Sequence, residues 1–412
     1  MNSDLEFRNI IATRMDEVAK QIESWDAKER ISEDSKSEVF ERLQFVSHTA
    51  THGDIRIAGV EGSGDFPLLA YNDCYVYLAI AQAVQYQSHP TSGLKEVTPV
   101  SELIFDITWL PDESKRTQSF LLQSLEKLSG ITARELIAQS DYKDFKSLSK
   151  SHSLEVLFES LILPHASDKG NLAIQLRSTA ELGAAYRLIA SDNPPDIVLF
   201  DGTFALPFMQ RNDPASLYFE HLKRLCCKKA TEKQIGFFAV SKSHGLPAIH
   251  ELQDIIDRKA ESISVEMPDK WFLRMPIPEA EYSKYKDEWE FGLTKEKTSL
   301  PPMGAVTYLF QIHRQTMPMR LDVDRKYFEQ FILAGTSEKT LENEHRLFKM
   351  LDFSSHDQRC YGYPYPIKAA HDRVSLTGNE RTSLRKQLIN AAIKQGVSPK
   401  VFRDASVLTG HR

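Results

Sequence analysis

The stretch Asp196-Ile197-Val198-Leu199-Phe200-Asp201-Gly202-Thr203 decides how this chain is read. Four consecutive apolar residues indicate a strand buried on both faces. The acid directly at its carboxyl end stands where open α/β sheets present their ligands. An Asx turn at Asp201 is the competing reading. Upstream, a helical pattern over 172–190 runs into Pro194-Pro195, and downstream a second one over 213–232 leads to another apolar run, IGFFAVS, at 235–241. Strand, helix and strand in that order argue for an α/β sheet with crossover connections.

Further out, IRIAGVE from Ile55 is a short β-like run closed by Gly62-Ser63-Gly64, CYVYLAIAQAVQY from Cys74 is a long aromatic and β-branched run, and SELIFDITWLP from Ser101 reads as another strand. Residues 112–164 look largely helical with polar spacing, and the segment reads as an insertion between core strands. AVTYLFQIH (305–313) and MRLDVD (319–324) predict a hairpin, and helical segments follow near 325–333, 339–351 and 378–394. The stretch 275–302, rich in Pro, Glu and Lys, reads as irregular and exposed. At the start of the chain, Ile11, Met15, Val18, Ile22 and Trp25 share one helical stripe, and Val39, Leu43 and Val46 repeat the spacing. That stripe fits a helix docked on its own domain or a contact between two copies. Two heptads fall short of a coiled-coil signal.

Composition narrows the function classes. With 51 Lys+Arg against 57 Asp+Glu the net charge is −6, which excludes a generally basic nucleic-acid coat and leaves local patches to make any such contact. No apolar run approaches the roughly 18 residues of a membrane span, and the polar, amphipathic start MNSDLEFRNIIATRMDEVAK does not read as a secretory signal. The four cysteines, Cys74, Cys226, Cys227 and Cys360, form no CxxC pair, so a reducing, cytoplasmic setting is expected. The length allows a core that needs no disulfide or structural metal.

Four places can carry chemistry. In Gly59-Val60-Glu61-Gly62-Ser63-Gly64-Asp65, an acid at a strand end before glycines is held rigidly where the chain turns away, a good place for an oxygen ligand to a hard cation. From the motif alone, a Gly-rich turn with an acid capping an amide is the favoured reading. Glu181, in LRSTAELGAAYRLIA, has Arg177, Ser178, Ala184 and Ala185 as its helical neighbours, and can either reach past small residues toward a sheet end or pair with Arg177 at the surface. Asp201 is the third. The fourth is Tyr361-Gly362-Tyr363-Pro364-Tyr365-Pro366, where Pro366 suits a first helical turn and puts His371 one to two turns inside that helix. Together Glu61, Asp201, Glu181 and His371 make an acid-rich set with one imidazole. Carboxylates without thiolates favour Mg²⁺ or Mn²⁺ over zinc, and such a set suits phosphodiester hydrolysis. Lys242, just past the 235–241 strand, and the cluster Lys223, Arg224, Lys228, Lys229 and Lys233 can meet phosphates or simply be solvated.

The order of these motifs resembles the NurA nuclease family. VEGS at 60–63, AEL at 180–182, FDGT at 200–203, VSK at 240–242 and GYPYP with AAH across 362–371 follow that family's succession over about residues 55–395. The resemblance implies an RNase H-like α/β core, a homodimer and a Mn²⁺-dependent (or Mg²⁺-dependent) DNA nuclease. It also implies a HerA-type hexameric translocase as partner, in DNA-end processing for repair or in phage defence. It carries metal-site roles onto Glu61, Glu181, Asp201 and His371, and contacts with nucleic acid onto Lys242, Tyr363 and Tyr365. The chain has no GxxxxGK[ST] loop, in keeping with a separate motor. It departs from the family at Glu61, where Asp is usual; the side chain is one methylene longer, and Asp65 is an alternative ligand. A chain that docks on the translocase or clamps DNA without cutting it is the other reading. The expected organisation is an N-terminal helical segment (1–50), a nuclease domain (51–397) with a helical insertion at about 112–167, and a tail (398–412).

Overall fold

In this computed structural model the described residues are 2–26, 33–49, 53–64, 67–71, 74–91, 93–111, 114–139, 169–204, 214–242, 249–266, 268–275 and 305–402. Most of the 275–302 stretch, Asp65, and residues 403–412 of the tail lie outside them.

The apolar runs read from the sequence become strands of one mixed sheet. In chain order these are β1 (Gln44–Phe45), β2 (Arg56–Ser63), β3 (Pro67–Tyr71), β4 (Cys74–His89), β5 (Gly93–Glu96), β6 (Ile104–Leu110), β7 (Ile197–Asp201), β8 (Gly236–Ser241), β9 (Trp271–Arg274), β10 (Ala305–Gln311) and β11 (Met319–Asp324). Their spatial order is β1-β9-β10-β11-β8-β7-β2-β4-β3, with β5 and β6 also paired to β4. Strands β6, β4 and β2 are antiparallel in turn, whereas β7 joins β2 in parallel and β8 joins β7 in parallel. This succession is the strand order of an RNase H-like core. The predicted hairpin forms between β10 and β11, with Ala305 opposite Asp324.

Helices cover both faces, because the parallel strands are apolar on both. Even-numbered residues of β2 and β7 (Ala58, Val60, Val198, Phe200) pack under α3 (Ser114–Ser129), α5 (Lys169–Ala190) and α6 (Pro214–Glu232). Odd-numbered ones (Ile57, Ile197, Leu199) face α8 (Ser337–Ser354) and α9 (Tyr365–Val374). Of the predicted insertion, α3 and α4 (Ala133–Gln139) are described and join the first of these layers; residues 140–168 lie outside the described chain. α7 (Ile249–Ser262) packs near β9, and α10 (Gly378–Lys394) closes the described C-terminal region behind a Thr377–Glu380 capping box.

Two features of the N-terminal segment differ from a docked amphipathic helix. α1 (Asn2–Asp26) leaves its stripe uncovered, with Ile10, Met15 and Ile22 each more than 60% exposed. By contrast α2 (Glu33–Arg42) feeds Leu43 and β1 into the main sheet, where Leu43 is fully buried among Trp271, Leu252 and Leu309. The spacing that looked continuous across both helices thus serves two ends, one packed and one open.

Candidate functional site

Strand register builds the site. β2 and β7 are parallel neighbours with Val60 opposite Phe200, so the next residue of each, Glu61 and Asp201, emerges side by side. Both have the parity of Ile57 and Ile197 and therefore face the α9 side of the sheet. The two carboxyls lie close enough for Asp201 to act on Glu61. α9 can approach this closely because Gly59 has no side chain: a Cβ there would lie 2.1–2.3 Å from backbone atoms of Pro366 and Ile367.

Glu181 arrives from the other face. It sits on α5, is 3% exposed, and passes through space that Gly62 leaves open; a Cβ on Gly62 would meet Glu181 Cγ at 2.7 Å. Arg177 stands 3.3 Å from Glu181 Oε1, so the expected i, i+4 pair exists, but on a buried acid and not at the surface. Burial, then the charge of Glu181, then that of Asp201 push the Glu61 carboxyl up to about 9. Three acids with too little counter-charge share the available negative charge, and Glu61 keeps a proton instead.

The other expected residues separate into two groups. Tyr363 is 8% exposed and donates a hydrogen bond to Asp201 Oδ2 at 3.3 Å, and burial with the Asp201 and Glu61 charges drives its phenol well above the usual range. Lys242 follows β8 directly, is exposed, and holds its ammonium 4.6 Å from the centre of the Tyr363 ring. Acids, phenol and ammonium are thus in one connected array. Tyr365 points elsewhere: it packs edge-on against Tyr86 with ring centres 5.2 Å apart, under the Arg359 guanidinium. His371 is exposed near the end of α9 and makes no side-chain hydrogen bond or ion pair among the described residues. Among the basic cluster on α6, Arg224 is buried and paired with Asp324, while Lys229 pairs with Glu232.

Four residues escaped the sequence reading. Asp322, fully buried on β11, accepts hydrogen bonds from the Phe204 amide at 2.9 Å and the Thr307 hydroxyl at 2.8 Å, which fixes the loop that leaves Asp201. Its only signal was an acid in the otherwise apolar alternation of MRLDVD. His48 and Asp352 form a second group with His356, the one set of His, Cys, Asp or Glu ligand atoms that lie mutually within 4.8 Å among the described residues. Glu61, Glu181 and Asp201 do not meet that spacing.

The array has the donor chemistry of a hard-cation site. Carboxylates come from two adjacent strand ends and a helix, close enough for the charges of Glu181 and Asp201 to act on Glu61.

No family description matches this chain, and no curated protein matches it. Among solved structures it is similar to the NurA nuclease from Sulfolobus solfataricus, at 14% identity over 94% of this chain and 98% of that one, with a TM-score of 0.46. A NurA structure with manganese is similar at 13% identity over 92% and 98%, with a TM-score of 0.40. An endonuclease V variant of Ciona intestinalis, in complex with a 23mer DNA, is similar at 12% identity over 89% and 98%, with a TM-score of 0.28. In structure, then, this chain is similar to NurA nucleases along nearly its whole length.

Proposed function

We propose that this chain is a divalent-metal-dependent DNA nuclease. The observation that carries the reading is the Glu61–Asp201 pair at the ends of adjacent parallel strands, with buried Glu181 entering beside it through the space at Gly62. Glu61, Asp201 and Glu181 would hold Mn²⁺ or Mg²⁺. When bound, the ion would activate the attacking water and stabilise charge on the phosphate. Asp201 is oriented by Tyr363, whose hydroxyl is fixed on Oδ2 and whose ring seats Lys242. Lys242, exposed at the rim, is placed to meet a phosphate oxygen and bring the backbone toward the acids. His371 is proposed to assist proton transfer or hold the phosphate after nucleic acid is bound.

The larger assembly follows from the same resemblance and from the open stripe of α1. We place a second copy of the chain against that stripe, and a HerA-type hexameric ATPase beside the dimer as the motor this sequence lacks, in DNA repair or phage defence in the cytoplasm.

Asp201→Ala tests the central reading. It should abolish Mn²⁺-dependent cleavage of DNA while the circular dichroism spectrum stays unchanged; full cleavage by that variant refutes the assignment. The extra methylene at Glu61 favours one rival: a chain that clamps DNA or docks on the motor without cutting. Mn²⁺ titration separates the two, because the rival takes up no metal and cuts nothing while still binding its partners.

A further inference from the structure

The second group of ligand-type side chains lies on other elements. Asp352 is in the last turn of α8 and fully buried; His356 follows in β12 (His356–Asp357); His48 follows β1. Asp352 Oδ2 accepts a hydrogen bond from the Thr49 amide at 2.6 Å and stands 3.4 Å from His48 Nδ1. The other oxygen, Oδ1, is 2.8 Å from His356 Nε2 and 3.0 Å from Lys270 Nζ. Yet Asp352 Oδ1 and His356 Nε2 are both buried and neither makes a hydrogen bond of acceptable angle. These two buried ligand-type atoms face each other with the Lys270 ammonium as the cation beside them.

We propose that His48, Asp352 and His356 form a binding site for a first-row transition ion of the Zn²⁺ class, separate from the carboxylate array. Two imidazole nitrogens and one carboxylate, facing His356 through Oδ1 and His48 through Oδ2, suit such an ion, whereas an all-oxygen set suits Mn²⁺ or Mg²⁺. Separations of 2.8 and 3.4 Å correspond to angles of roughly 85° and 110° at an ion about 2.1 Å from each atom. Lys270 supplies the positive charge in the metal-free protein: its ammonium is 2.7 Å from His48 Nδ1 and its side chain is 14% exposed. An ion entering this site displaces that ammonium toward solvent. Bound metal would staple the segment after β1 to the end of α8 and to the ribbon of β12 and β13 (Cys360–Tyr361), which runs directly into Tyr363.

The test uses untagged full-length protein and Co²⁺ as the visible probe, with Zn²⁺ for thermal shift. One equivalent of Co²⁺ should give d–d absorption bands, and Zn²⁺ should raise the melting temperature. Both effects should be lost in His356→Gln and weakened at least tenfold in His48→Gln, whose exposed position leaves folding undisturbed. Asp201→Asn should keep both, which separates this site from the proposed catalytic one. Lys270→Met should tighten Zn²⁺ binding by about tenfold, because the competing ammonium is gone. Absence of bands in the wild type, their survival in the His48→Gln/His356→Gln double variant, or their loss in Asp201→Asn would each overturn the proposal.

Discussion

At the scale of single residues, Glu61 sets the pH behaviour of the fold. In the folded chain it holds its proton up to about pH 9, whereas unfolded it releases it near 4.5. Between those values the folded state binds more protons than the unfolded one, so stability falls as pH rises. The metal-free protein should therefore lose about 1 kcal/mol or more of stability from the acid to the alkaline end of that window, measured by urea unfolding. Glu61→Gln mimics the protonated acid and should flatten the slope. An unchanged slope in that variant would show that another group titrates. Gly62→Ala probes the neighbouring contact. The added methyl meets Glu181 Cγ at 2.7 Å and the Ile80 carbonyl at 2.9 Å, so it should push Glu181 aside and weaken Mn²⁺ binding about tenfold by calorimetry.

Between elements, the close fit of α9 on β2 carries the geometry of the site. Gly59→Ala sets a methyl against the Pro366 and Ile367 backbone, which cannot turn away as a side chain could. A loss of about 3 kcal/mol in unfolding free energy is expected, with the site disordered as a consequence. Near-normal stability in that variant would mean that the helix is free to shift. The buried Arg224–Asp324 pair ties α6 to the end of β11 and is structural in this sense. Arg224→Met strands a buried carboxylate and should cost about 3–5 kcal/mol, leaving Mn²⁺ affinity per folded molecule unchanged. A selective loss of metal affinity would instead give α6 a role in the site.

For the whole molecule, the stripe of α1 is an apolar face that the described residues of a single chain leave open. Apolar residues exposed on one helical face are an interface signal when they are contiguous. Met15→Asp combined with Ile22→Asp should convert a dimer to a monomer by light scattering while the unfolding midpoint of the sheet domain stays put, since nothing in the core rests on those side chains. A dimer that survives both changes would move the interface elsewhere.

Local pattern determined a good part of this protein. Runs such as Ile197–Phe200 and Gly236–Ser241 are apolar on both faces, and no surface position tolerates that, so strand, burial and the acid at Asp201 were legible together. Pro366 at the start of α9 and the hairpin of β10 and β11 were legible for the same reason, because proline geometry and short-range pairing act within a few residues. What pattern does not encode is which strand ends become neighbours. The adjacency of Glu61 and Asp201 comes from a parallel register between strands far apart in the chain; the entry of Glu181 depends on a missing side chain at Gly62; and the choice between Tyr363 and Tyr365 depends on where α9 comes to rest. His48, Lys270 and the Asp352–His356 pair, four residues apart, come from three separate segments. They meet only because the edge strands and the end of α8 fold to the same place, and long-range packing alone makes that choice.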